Sequence, residues 1–132
     1  MTPHFLAPLL AAGASSSRFR IVTTDGRVVA RLVEPAFDAA TRKRGLLGRT
    51  SLDPGAALVI APCSAVHTFF MRFPSDVVFV DREGRVTKIT PELTPWRLAG
   101  SLRAFATVEL ASGSAGECRL QPGDRLIVEL AE

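Results

Sequence analysis

The sequence predicts a mainly β, α+β domain, either a sandwich-like fold or a partly closed β-barrel with one packed helix. Three observations carry this. From residue 56 onward, short apolar segments recur between turn signals such as Arg82-Glu83-Gly84 and Gln121-Pro122-Gly123-Asp124, the spacing expected of a sandwich or barrel. Helix signals converge convincingly at one place, residues 38–48. Finally, 132 residues with 47% hydrophobic and 22% charged side chains suit one domain with a core of its own.

Taken in order, residues 1–17 read as a flexible leader or weak signal-like segment, and 18–132 as the single folded domain. The apolar run Phe5-Leu6-Ala7-Pro8-Leu9-Leu10 leads into Ala12-Gly13-Ala14, which resembles a cleavage site, yet no Lys or Arg precedes it and Pro8 interrupts it. A cytoplasmic protein is the expectation, with export if the leader acts as a signal. No run reaches the roughly 18 apolar residues that span a bilayer. Residues 19–23 and 27–33 read as strands joined at Asp25-Gly26, a step suited to a tight hairpin, and Pro35 closes the unit. Asp38 is a good N-cap, Ala39 and Ala40 open the helix, and Gly48 stands where a left-handed C-cap belongs. Leu46 and Leu47 supply its apolar side, and Arg44 lies one turn before Leu47.

The rest reads as strands. Residues 57–61 are short and apolar, and 66–73 are rich in aromatic and β-favouring residues. Val77-Val78-Phe79-Val80, an unbroken apolar run between Asp76 and Asp81, predicts a strand buried on both faces. Further strands follow at 85–90, 104–110 and 125–130. Ala104, Ala106, Val108 and Leu110 share one face of their strand, so Glu109 is expected to point outward.

Chemistry-bearing patterns are sparse. Cys63 and His67 are four apart, but on an extended chain that separation is roughly 13 Å, too long for two ligands of one ion. The same distance opposes a Cys63–His67 dyad. Ser64 lacks a nucleophile elbow, and Gly45-Leu46-Leu47-Gly48 closes a helix where a phosphate loop would open one. Neither a metal nor a cofactor is expected. Two separated cysteines, Cys63 and Cys118, form no disulfide framework; their pairing is left open. The net charge of +3 and the short cluster Arg42-Lys43-Arg44 fall short of a nucleic-acid-binding stripe. As a strand, His67-Thr68-Phe69-Phe70-Met71-Arg72-Phe73 would place His67, Phe69, Met71 and Phe73 on one face and Thr68, Phe70 and Arg72 on the other. One reading is a groove floor with aromatic surface and an orienting His67 or Arg72. The other fills the core with the aromatics and pairs Arg72 with Asp76. Trp96 is either a rim contact or a core residue.

These residues also carry a resemblance. Arg44-Gly45-Leu46-Leu47-Gly48-Arg49, then His67-Thr68-Phe69-Phe70-Met71-Arg72-Phe73-Pro74, Asp76-Val77-Val78-Phe79-Val80-Asp81, Val108-Glu109-Leu110-Ala111 with Gly113, and Pro122-Gly123-Asp124 resemble domain-of-unknown-function family 192 over about residues 20–130. The resemblance implies a mainly β sandwich-like or barrel-like domain with a packed helix, and no established activity. Leu47, Phe70, Arg72 and Ser75 depart from the Met, Trp, Lys and apolar residue common in relatives. It singles out Arg44, Arg49, Phe69, Met71, Asp76 and Glu109 for testing together. Some relatives are exported.

Three functions follow as expectations. The first is a noncatalytic binding or accessory domain that holds a small anionic ligand or a peptide between the His67–Phe73 segment and the guanidinium groups of Arg44, Arg49 and Arg72. The second is an enzyme using His67 and Asp76 in acid–base chemistry. The third is an assembly component with a protein partner, associated with pilus or secretion machinery.

Overall fold

The computed structural model describes residues 4–12 and 19–131. In chain order its elements are α1 (Ala7–Ala12), β1 (Phe19–Thr23), β2 (Val28–Ala30), β3 (Leu32–Ala36), α2 (Ala39–Arg44), β4 (Ala56–Ile60), β5 (Ala65–His67), β6 (Ser75–Val80), β7 (Val86–Leu93), β8 (Leu98–Gly100), β9 (Ala106–Ala111), α3 (Ser114–Glu117) and β10 (Leu126–Leu130). The strands form a three-stranded sheet in the order β10-β1-β2, a five-stranded sheet in the order β3-β4-β9-β6-β7, and a ribbon of β5 and β8. Among the described residues only the β3–β4 pairing is parallel. The mainly β class expected from the sequence is the one observed. Among the described residues the sheets do not close into a barrel: the five-stranded sheet ends at β3 and β7.

The five-stranded sheet is the middle layer. Alternation along its strands sends one set of side chains toward the three-stranded sheet, where Ala57, Val59, Val78, Val80, Val108 and Leu110 meet Ile21, Leu126 and Val128 in one continuous core. The other set meets two separate clusters. One gathers Leu58 and Ile60 with Leu46 and Leu52; the other gathers Val77 and Phe79 with Leu93, flanked by Val66 of β5 and Ala99 of β8. Every residue of β6 is buried, as the run 77–80 implied. Burying each such Val or Phe side chain contributes about 1.5–3 kcal/mol.

Several expectations are corrected. The segment 27–33 is not one strand: Arg31 and Leu32 both donate their N–H to the Gly55 carbonyl, at 2.8 and 3.1 Å. There the chain leaves one sheet and enters the other. Pro35 does not end the unit but sits inside β3, opposite Val59; the missing N–H is tolerated because β3 is an edge strand. The Asp38 carboxylate does cap α2, accepting the Thr41 N–H at 2.8 Å. The helix closes at Gly45 (φ +50°), not at Gly48, whose φ of +88° makes a second turn. Leu46 and Leu47 lie beyond the helix, and only Leu46 is buried.

The strand expected at 66–73 stops at His67. Thr68 is the reason. Its hydroxyl donates to the Thr94 carbonyl at 2.7 Å and accepts the Arg97 N–H at 2.8 Å. Its carbonyl accepts N–H groups from both Met71 and Trp96. These long-range bonds bend the chain out of the extended path, so the alternating faces proposed for His67 to Phe73 do not exist. Residues 4–12, within the span read as a leader, place Leu6 and Leu9 in the core, each 1% exposed; residues 13–17 lie outside the described residues. No helix among the described residues is long and apolar enough to cross a membrane.

Candidate functional site

A cleft of about 250 Å³ opens on the central sheet between the two separate clusters. Its cationic wall comes from the last turn of α2, which presents Arg42, Lys43 and Arg44. Cations suit that end of a helix because its carbonyls carry partial negative charge. Arg42 donates to the Asp38 and Pro62 carbonyls at 3.3 and 3.4 Å. No carboxylate among the described residues stands within ion-pair distance of the three cations. The opposite wall carries His67, Phe69 and Met71.

The cleft is floored by Glu109. Register places it between Leu58 of β4 and Val77 of β6, on the face shared with those residues. Glu109 does not face outward into solvent: it is 8% exposed, because α2 and the following turns together with the β5–β8 ribbon cover this side of the sheet. Its Oε2 is fully buried without a hydrogen-bond partner among the described residues. Burial pushes the carboxyl up to about 7, while the positive charge of Arg49 opposes the rise. Arg49 is itself held by a fork onto Glu34, at 2.6 and 3.2 Å, which raises the guanidinium's own pKa. Near neutrality the floor can therefore accept a proton or give one.

At the mouth stands a run of rings. His67 stacks on Phe69 at 4.9 Å, Phe69 on Trp96 at 5.8 Å, and Trp96 meets Phe70 tilted at 4.6 Å. The outer two are exposed, Phe70 by 70% and Trp96 by 54%. Trp96 is thus exposed and not a core residue. Both have left-handed backbone, φ +65° and +66°, a conformation costly for bulky residues. Thr68, whose bonds tie the two turns together, holds them there.

Of the residues singled out from sequence, Arg44, His67, Phe69, Met71 and Glu109 line the cleft. Arg49 stands behind the floor on Glu34. Arg72 is exposed and does not line the cleft. Asp76 belongs to the other side of the sheet. It is fully buried and its two oxygens accept the Glu92 and Ala115 N–H groups at 2.8 and 2.9 Å, tying α3 and β7 to β6. It neither pairs with Arg72 nor faces His67. Sequence reasoning missed Lys43, Arg42 and Cys63 as lining residues. The Arg42-Lys43-Arg44 run is the signal in the sequence that could have found the first two. Cys63 and Cys118 are free thiols.

Fold and cleft together describe a single sandwich-like β domain with an amphiphilic recess on its central sheet. Residues 20–128 match the family DUF192, described as an uncharacterized ACR, and the chain belongs to that family. No curated protein matches it. Two solved structures share the fold. One is a protein of unknown function from Novosphingobium aromaticivorans, with TM-score 0.71 and 24% identity, covering 82% of this chain and 81% of that one. The other, from Sinorhizobium meliloti, is described as a "putative transcription regulator", with TM-score 0.72 and 24% identity, covering 82% of this chain and 89% of that one.

Proposed function

We propose that this protein is a noncatalytic binding domain whose cleft takes a small anionic ligand or the end of a peptide. The observation that carries the reading is the set of three cations on the α2 wall, Arg42, Lys43 and Arg44, lining the recess with no carboxylate among the described residues within ion-pair distance. Cations left unneutralised beside a partly apolar recess attract an anion, and forked guanidinium bonds orient it. The rings of Phe69, Trp96 and Phe70 extend the contact surface outward for a flat or apolar group.

The test is isothermal titration against carboxylates, inorganic phosphate and short peptides. Wild-type protein is expected to bind at least one probe more tightly than millimolar. Arg44→Ala should weaken it about tenfold, as loss of a charge-assisted bond does. Arg20→Ala serves as the control, since Arg20 pairs with Glu129 on the three-stranded sheet. Absence of any such binding, or equal binding by Arg44→Ala, overturns the reading.

A further inference from the structure

The cationic wall explains an anion but leaves Glu109 unexplained. A lone carboxyl on the floor of an anion site opposes the anion whenever it is ionised, and a buried oxygen without a donor is costly. Such a group is tolerated where a ligand supplies the missing partner. Only an N–H or O–H donor can do so for a carboxylate, and a cationic amine does it best. The recess is too small for a folded partner to enter and large enough for a molecule of amino-acid size. Between floor and wall its lining is apolar, with Leu46, Ile60, Cys63, Val66 and Met71, which suits a short hydrocarbon body.

Resting on the reading of the cleft just given, we infer that its ligand is an amino-carboxylate. The amine sits against Glu109, the carboxylate against Arg42, Lys43 and Arg44, and the side chain against the apolar lining and the ring of Phe69. A free α-amino acid or the terminal residue of a short peptide meets this description. A plain carboxylate or a phosphate satisfies the wall and leaves the floor unpartnered.

The experiment titrates the intact protein with the standard amino acids, a set of dipeptides, and, for the best binder, its des-amino carboxylate and its decarboxylated amine. The amino-carboxylate should bind at least about tenfold more tightly than either truncated probe, since an abandoned buried polar group carries such a penalty. Glu109→Gln should shrink the preference for the amine-bearing probe to about threefold or less while leaving binding of the plain carboxylate intact or improved.

Proton linkage adds a second reading. The charged and titratable groups around Glu109 are Arg49 with Glu34 behind it, Arg42, Lys43 and Arg44 on α2, the Cys63 thiol, and His67 on β5. Affinity for the amino-carboxylate should rise between pH 6 and pH 8 as Glu109 ionises, also in His67→Gln protein, and that rise should be lost in Glu109→Gln. If the des-amino carboxylate or phosphate binds as well as any amino acid, the inference fails and the anion-site reading stands. If no anion of any kind binds, both fall together.

Discussion

The two faces of the central sheet are built from the same strands and do different work. On β9, Val108 and Leu110 point into a continuous apolar core against the three-stranded sheet, while Glu109 between them points to the side covered in two pieces. Each face also buries one carboxyl. Asp76 has a backbone N–H on each oxygen, so its burial contributes to the fold. Glu109 has an oxygen with no partner among the described residues and a pKa raised to about 7 by burial, so its burial costs the fold. A buried carboxyl with its bonds made is architecture; one with a bond open beside a recess is where the proposed ligand would find its partner.

The comparison can be broken most sharply at Asp76. Asp76→Ala removes both carboxylate bonds, stranding the buried Ala115 N–H and the part-buried Glu92 N–H, and should lower the unfolding free energy by about 3–5 kcal/mol in urea titrations. A loss no larger than that of an average surface substitution would erase the distinction between the two carboxyls.

Glu109 should behave in the opposite sense. Its folded pKa lies above the unfolded value of 4.5, so the native state holds the proton more tightly. Stability from this group is full below about pH 4.5 and declines as pH rises toward about 7, reaching a deficit of up to about 3 kcal/mol above it. Glu109→Gln removes the deficit. The variant should gain on wild type between pH 5 and pH 8, measured by denaturant midpoints in the absence of added ligand. A constant difference across that range would show a carboxyl that titrates normally.

The smallest expected effect is at the rim. Trp96→Ala should change stability by less than about 1 kcal/mol, because the side chain is half in solvent and loses only ring contacts. The measurement that sharpens the comparison is the same titration series, in which Trp96→Ala should weaken probes with a flat or apolar group and spare inorganic phosphate.

What the sequence revealed and what it hid divide along the range of the interactions. Val77-Val78-Phe79-Val80 showed a doubly covered strand because burial on both faces writes itself into consecutive residues. The Asp38 cap was legible for the same reason: its bond to Thr41 is three residues long. The end of α2 was not, because two glycines competed and Gly45 took the turn. Residues 66–73 looked extended on composition, yet Thr68 is bent by partners at 94 and 97. The burial of Glu109 was hidden because alternation names the side a residue faces and not what covers that side. Here the cover comes from α2 and the ribbon, distant in the chain. Five cleft residues were still identified, since aromatic and basic residues concentrated where the fold places the recess.

Left-handed backbone at Phe70 and Trp96 has one more consequence. Glycine at either position would relax the main chain, but it would give up the ring contacts and leave the unfolded chain freer. Two large rings held at unfavourable torsion angles and turned toward solvent mark a surface whose main-chain strain is not repaid by burying its side chains.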